Sequence, residues 1–221
     1  MANTNQKGRA IRAESGRTLM LAQFSILLAI EAIFCFTILG SIPMPGGLVA
    51  TLSMLPVIIT AMTMGVKAGS LMGFFFGLFS FLVWTFMPPN PMFAFQFTPF
   101  YSFGEVQGNF WSLVICFVPR ILVGTVTGLT VKALAGVLPQ KKILIAFPIA
   151  AILGSMTNTI GVLGLTWLFF GQQVTDLAGT AVAAVVGGLI LTNGIPEAVL
   201  SAVVCPAVSV PVKTILKRSV N

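Results

Sequence analysis

The sequence predicts an all-α integral membrane protein with six transmembrane helices and both termini in the cytoplasm. Of the 221 residues, 57% are hydrophobic and only 8% are charged, whereas soluble domains carry about 25% charged residues. Apolar runs close to the roughly 20 residues that cross a bilayer recur along the chain. All of the twelve lysines and arginines except Arg120 can be placed on one side of the membrane, which the positive-inside rule identifies as the cytoplasmic side.

The apolar runs define six spans within one membrane domain, residues 18–216. Residues 1–17 and 217–221 are predicted to be cytoplasmic segments. Counting the apolar run 177–191 as a seventh span would place the C-terminal bases outside, so this run is predicted to be a short helix that dips into the outer leaflet. The six predicted spans are 18–40, 49–65, 68–86, 110–135, 143–170 and 197–216.

The longest irregular segment, residues 87–109, lies between helices 3 and 4 and is rich in proline and phenylalanine. A segment of this length is usually a lid or a binding loop, so we expect a long aromatic outer loop. Within the third span, Gly69, Gly73 and Gly77 recur at every fourth position. This spacing predicts close helix packing, because small residues let two backbones approach in a membrane.

Arg120 is the first candidate for function, because it follows Pro119 inside an apolar run. A guanidinium in hydrocarbon costs several kcal/mol on most estimates, so it usually faces a cavity, a partner or a ligand. Counted from the nearest cytoplasmic base, four spans each place one strongly polar side chain about 18 to 24 Å above the inner face. These four side chains are Glu31, Arg120, Asn158 and Glu197.

The shared depth predicts a pocket that opens outward beneath the loops 87–109 and 43–47. An amide such as that of Asn158 suits a ligand with hydroxyl or amide groups, although an interhelical hydrogen bond is an alternative. Arg120 could instead form an ion pair with Glu31 or Glu197 that only closes the bundle. The further candidates for contact with a ligand are Trp84, Gln96, Tyr101 and Asn193.

Several classes of function are excluded by residues that the chain lacks. The sequence has no histidine and no Cys-x-x-Cys pair, so a zinc or haem site is not expected. It has no Gly-x-x-x-x-Gly-Lys-Ser/Thr motif for ATP and no close pairing of acids for hydrolysis, so an enzyme is not expected. The bases flank apolar spans instead of forming a basic stripe, which excludes nucleic acid. The chain is predicted to bind a solute without a cofactor and to lack the means of driving transport alone.

Four segments, residues 69–78, 119–124, 157–159 and 193–197, resemble the substrate-binding (S) components of energy-coupling factor (ECF) vitamin transporters. The similarity extends over about residues 15–216. The resemblance implies a six-helix protein of the bacterial plasma membrane that captures a vitamin from outside. It also implies three partners, a shared transmembrane subunit and two ATPases, and a toppling movement that releases the vitamin inside.

Within that family the pantothenate-type branch is the most similar, and cobalamin, a hydroxymethylpyrimidine or another vitamin remains open. The resemblance assigns a ligand carboxylate to Arg120 and ligand hydroxyl and amide groups to Asn158. It also implies docking to the shared subunit through a pair of small residues on the first helix, for which Ser25 and Ala29 are the nearest match. Two other hypotheses are a small ion-coupled secondary transporter that works alone and an assembly subunit without a ligand.

Overall fold

The computed structural model describes residues 2–37, 40–44, 48–89, 91–103, 106–139, 145–178, 187–188 and 190–220. These residues form α-helices and two short antiparallel hairpins. The helices are α1 (Ala2–Phe36), α2 (Leu55–Met64), α3 (Val66–Phe86), α4 (Phe110–Val137), α5 (Ala146–Ala178) and α6 (Ile195–Val220). The hairpins are β1 (Ser41–Met44) with β2 (Leu48–Thr51), and β3 (Ser102–Phe103) with β4 (Val106–Gln107).

Five stretches are long and apolar enough to cross a membrane, which confirms the prediction of an integral membrane protein. They are Gly16–Phe36, Val66–Phe86, Phe110–Val137, Ala146–Asp176 and Ile190–Thr214. Helix α2 has 10 residues and is about 15 Å long, half the thickness of a bilayer core of about 30 Å. The count of six spans, the cytoplasmic termini and the division into segments therefore stay predictions.

The predicted second span, 49–65, is wrong in its first part. Residues 48–51 form strand β2, which pairs with β1 in the register Met44 to Leu48 through Ser41 to Thr51. The hairpin is closed by hydrogen bonds from the Leu52 N–H and the Ser53 hydroxyl to the carbonyl of Gly40, at 3.0 and 3.3 Å. Pro56 lies in the first turn of α2, where proline is favoured because that turn needs no N–H donor. The helix consequently begins beside the proline.

Other boundaries also differ from the predicted ones. Helix α1 begins at Ala2, so the basic N-terminal segment continues the first span. Helix α5 runs eight residues beyond its predicted end and has a kink at Phe170 (φ −128°, ψ 17°). The aromatic segment contains a 3-10 helix, Pro91–Gln96, as well as the β3–β4 hairpin. Most of the predicted membrane-dipping helix, 177–191, lies outside the described residues.

The glycine stripe of α3 packs against α4, as its spacing predicted. A Cβ atom at Gly73 would overlap the carbonyl of Arg120, and one at Gly124 would overlap the carbonyl of Gly69. The two backbones are therefore in direct contact at Arg120 and again one turn later at Gly124. This contact fixes where α3 presents its side chains relative to the arginine.

Helix α2 lies at the centre of the bundle and contacts all five longer helices. Eight of its residues are buried, and five of these form one apolar core with side chains of α3, α4, α5 and α6: Leu55, Val57, Ile58, Ile59 and Met62. A second apolar cluster joins the aromatic segment to α4 and α5, and it includes Phe95, Phe97 and Phe170. The candidate site lies where these two clusters meet.

Candidate functional site

The Arg120 side chain bonds to a backbone carbonyl that Pro119 leaves without its helical hydrogen bond. Pro119 has no N–H, so it cannot donate the usual helical hydrogen bond to the carbonyl of Ile115, four residues earlier. The Arg120 guanidinium donates to that carbonyl instead, with 2.9 Å from Nη1 to the oxygen. The side chain is 6% exposed. The proline therefore both orients the guanidinium and provides it with an acceptor inside the bundle.

The guanidinium of Arg120 lies between the two apolar clusters. Its central carbon is 4.9 Å from the ring centre of Phe97 and 5.7 Å from that of Phe76. Both distances are within the roughly 6 Å range of a cation–π interaction. The ring of Phe97 in turn contacts that of Trp84, with 4.6 Å between centres. The predicted candidate Trp84 thus supports the aromatic ring above the arginine.

Two carboxyl groups on other helices, Glu31 and Glu197, were predicted to lie at the depth of Arg120. Glu31 on α1 is fully buried, and its Oε1 accepts a hydrogen bond from the Cys35 thiol at 3.3 Å. Among the described side chains it forms no ion pair with Arg120. Glu197, near the start of α6, is 6% exposed and lies within electrostatic range of Arg120, as does Cys35. Glu197 and Cys35 therefore lie near Arg120, and Glu31 is linked to this position through its hydrogen bond with Cys35.

Asn158 reaches the same region from α5. Gly161 packs over Pro119, and Gly154 packs against the hydroxyl of Thr127. These two contacts show that α4 and α5 are antiparallel, so the C-terminal end of α4 lies beside the N-terminal end of α5. Asn158 lies about half a turn nearer these ends than Arg120 does. The amide is half-buried.

Asn193 approaches α5 from the beginning of α6. It lies half-buried in a π-helical turn, Ile190–Gly194, and Gly194 in this turn contacts Thr159. The packing therefore places Gly194, the neighbour of Asn193, against α5 one residue from Asn158.

The aromatic segment is tied to three helices by side-chain hydrogen bonds. Gln96 accepts from the Thr166 hydroxyl at 3.3 Å, which joins the segment to α5. The Ser112 hydroxyl of α4 donates to the Phe95 carbonyl at 2.6 Å. The Thr85 hydroxyl of α3 donates to the Thr98 hydroxyl at 2.8 Å. Residues 94–98 are buried. The segment thus forms a packed roof over Arg120.

Tyr101 does not join the group. It lies half-buried just before β3, and its backbone carbonyl accepts from the Gly108 N–H at 3.0 Å. Within the described part of the chain, its ring contacts none of the other predicted residues through an aromatic pair or a hydrogen bond. A cleft of about 490 Å³ beside the Phe170 kink is lined by none of the predicted site residues; its lining is Trp167, Leu168, Phe169, Gly171, Gln172, Gln173 and Thr175.

Sequence reasoning missed several residues at this site. Phe76 was not singled out, and Phe97 was considered only as part of the aromatic outer loop, although their rings lie on the guanidinium. Three hydroxyl groups below Arg120 were missed as well; each is buried and has no partner among the described residues. They belong to Thr127, Ser155 and Ser201. The only available signal was the position of Ser155, three residues before Asn158 and so on an adjacent part of the helix surface.

The predicted docking pair lies on the opposite side of α1 from Glu31. Ser25 and Ala29 are both exposed, and at 100° per residue they point away from the buried carboxyl group. Their role in binding a partner stays a prediction.

Comparison with known proteins gives two results. A family model described as ECF transporter, substrate-specific component, matches residues 19–209. The chain is also 29% identical over 198 residues to the pantothenic acid transporter PanT of Lactococcus lactis subsp. cremoris (strain MG1363). That alignment covers 89% of this chain and 93% of the relative.

Proposed function

The chain belongs to the ECF transporter substrate-specific component family, and from this premise we propose that it is the pantothenate-binding subunit of an ATP-driven importer. As a member of this family, the chain is a multi-pass cell membrane protein and a substrate-binding subunit for vitamin uptake. Similarity to a pantothenic acid transporter over most of both chains supports pantothenate as the ligand. In this proposal a shared transmembrane subunit and two ATPases supply the energy, because the sequence itself has no ATP-binding motif.

One observation carries the proposal: three buried polar atoms on three different helices have no hydrogen-bond partner among the described residues. They are Arg120 Nε, Glu31 Oε2 and Asn158 Oδ1. An unsatisfied buried polar group costs about 1–3 kcal/mol, so each is a natural contact for a bound molecule. Pantothenate offers complementary groups, because it carries a carboxylate at one end and an amide N–H and two hydroxyls along its length.

The charges assign the orientation of the ligand. Arg120 is the cation of this group, so we place the carboxylate of pantothenate against its guanidinium, where two N–H···O bonds can form. The oxygens of Asn158 and Glu31 then accept hydrogen bonds from ligand hydroxyl or amide groups. Phe97, supported by Trp84, covers the ligand. We retain Glu197, Asn193, Gln96 and Tyr101 as further candidate contacts.

A thermal-shift panel on the purified protein tests the ligand. A ligand at about 100 times its Kd stabilises a protein by about 2.7 kcal/mol, so pantothenate is expected to raise the melting temperature without ATP. Panthenol, in which an alcohol replaces the carboxylate, is the matched control and is expected to stabilise much less. Stabilisation by cobalamin or a hydroxymethylpyrimidine alone would reassign the vitamin. No response to any vitamin would favour a subunit without a ligand.

An ion-coupled carrier that works alone is the second candidate, and the buried Glu31 favours it. Acidic residues inside membrane proteins often carry coupling protons or ions. The test is pantothenate uptake into proteoliposomes that contain this chain alone, under a proton or sodium gradient. We expect no uptake until the shared subunit and the ATPases are added. Uptake that needs only the gradient would replace the proposal with this alternative.

A further inference from the structure

Two serine hydroxyls, one on α5 and one on α6, are buried without a hydrogen bond to any described residue. Ser155 is 0% exposed and Ser201 is 1% exposed, and neither Oγ has a partner among the described residues. Helical hydroxyls often bond to the carbonyl four residues earlier, as Thr157 does to Leu153 and Thr214 to Val210. Ser155 and Ser201 forgo this bond, so both are available to another group.

The α5 serine faces α6. Thr159, one turn after Ser155 on the same side of the helix, contacts Gly194 at the start of α6. Ala151, one turn before Ser155, is also fully buried. Ser155 therefore lies on the side of α5 that packs against α6.

The α6 serine faces the interior of the bundle. Cys205, one turn after Ser201, directs its thiol to the Leu55 carbonyl of α2 at 4.0 Å. Glu197, one turn before Ser201, lies within electrostatic range of Arg120. Residues four apart share one side of a helix, so Ser201 continues a row of polar side chains that begins near Arg120.

The depth of this row follows from the register of α4 and α5. The contacts of Gly161 with Pro119 and of Gly154 with Thr127 place Arg120 level with residues 160–161 of α5. Ser155 lies five to six residues before that level, toward the N-terminal end of α5, which is about 8 Å at 1.5 Å per residue. Asn158 lies between these two levels.

A third hydroxyl without a partner completes the group. Thr127 on α4 is 0% exposed, and its Oγ1 lies against Gly154, the neighbour of Ser155. Three helices thus each carry a buried hydroxyl without a partner in the described part of the chain, further from the aromatic roof than Arg120. These hydroxyls can donate as well as accept hydrogen bonds, which matches the hydroxyl groups of a solute.

We propose that Ser155 and Ser201 form a subsite that binds the hydroxyl-bearing end of the solute whose carboxylate Arg120 binds. This inference rests on the proposed function and adds the residues that determine specificity at the far end of the ligand. The ligand then lies along the helices, with its anionic end beneath Phe97 and its hydroxyl end toward α2. Buried waters could occupy the same atoms, because a water needs two to four polar partners, and the experiment separates these cases.

The test combines serine variants with ligands that lack single hydroxyls. Ser155→Ala and Ser201→Ala are titrated calorimetrically with pantothenate and with its two monodeoxy analogues. Each variant is expected to weaken pantothenate binding by about 10-fold, the value of one buried hydrogen bond. Each is also expected to lose the preference for pantothenate over one of the analogues. Ser155→Cys and Ser201→Cys, which keep the side-chain volume, serve if an alanine variant does not fold.

Ser209→Ala is the matched control, because Ser209 is also buried on α6 but contacts the Met62 sulfur at 3.5 Å. It is expected to keep the preference of the unmodified protein. Equal loss of affinity for all three ligands in the Ser155 and Ser201 variants, or no loss, would overturn the subsite and leave hydration or packing as the role of the serines. Failure of the unmodified protein to bind pantothenate would instead reject the proposed function, and the subsite with it.

Discussion

The guanidinium carbon of Arg120 on α4 lies 4.9 Å from the ring centre of Phe97 in the preceding aromatic segment. A cation–π interaction of this kind is worth about 2 kcal/mol or more when it is desolvated. It links the buried charge to the segment that covers it. We therefore expect anion binding at Arg120 and the ordering of the aromatic segment to be coupled.

Arg120→Ala is expected to weaken pantothenate binding by about 100-fold, because hydrogen bonds to charged groups contribute about 1.5–3 kcal/mol. Isothermal titration of the detergent-purified variant measures this change. Binding of panthenol, which has no carboxylate, is expected to change little. Equal pantothenate affinity in the variant and the unmodified protein would make Arg120 a structural residue.

Thr166→Val is expected to loosen the aromatic roof, because it removes the hydroxyl that donates to Gln96 while keeping the side-chain shape. The pantothenate dissociation rate should rise several-fold, since one buried hydrogen bond contributes about 0.5–1.5 kcal/mol. Stopped-flow tryptophan fluorescence measures the rate. Thr175→Val is the control, because among the described residues the Thr175 hydroxyl bonds to the Gly171 carbonyl of its own helix. Equal rates in both variants would contradict the link through Gln96.

Glu31→Gln is expected to keep pantothenate affinity within about 10-fold, because the amide oxygen can still accept hydrogen bonds from Cys35 and from the ligand. Glu31→Leu removes both acceptors and should weaken binding further. The ratio of the two dissociation constants, measured by titration, is the informative quantity. A ratio near one would show that the carboxyl group of Glu31 faces away from the ligand.

Gly124→Ala is expected to destabilise the protein by about 1–3 kcal/mol, because a Cβ atom there overlaps the backbone of Gly69. Thermal unfolding in detergent measures the loss. Gly136→Ala in the same helix is the control, since a Cβ atom at Gly136 meets nothing within 4 Å. A melting temperature for Gly124→Ala equal to that of the control would contradict the close packing of α3 and α4.

Ala29→Trp is expected to abolish uptake in the reconstituted complex while leaving pantothenate binding unchanged, because Ala29 is exposed on the side of α1 opposite Glu31. Uptake assays and titrations on the same preparation separate the two effects. Ile160→Trp, at an exposed position of α5, controls for bulk on the membrane-facing surface. Full uptake with Ala29→Trp would remove this pair from the proposed docking surface.

Local patterns predicted much of the architecture correctly. Apolar runs located the five long helices to within a few residues at most boundaries, because burial in lipid requires an uninterrupted apolar stretch. The spacing of Gly69 and Gly73 predicted close helix packing for a similarly local reason, and the structure identified α4 as the partner. The prediction of the second span was wrong in its first part because β2 is as apolar as a transmembrane helix. Only the pairing of β2 with β1 shows that these residues form a strand.

The sequence by itself determined that the chain crosses a membrane and that Arg120 lies where a charge needs a partner, since both follow from transfer free energies of single residues. Only the tertiary structure decided what surrounds that charge. The Ile115 carbonyl freed by Pro119 is close in sequence, but Phe97, Glu197 and Cys35 reach Arg120 from separate elements. Ser155 and Ser201 look ordinary in sequence, because a missing hydrogen bond becomes apparent only when the neighbours of a side chain are known.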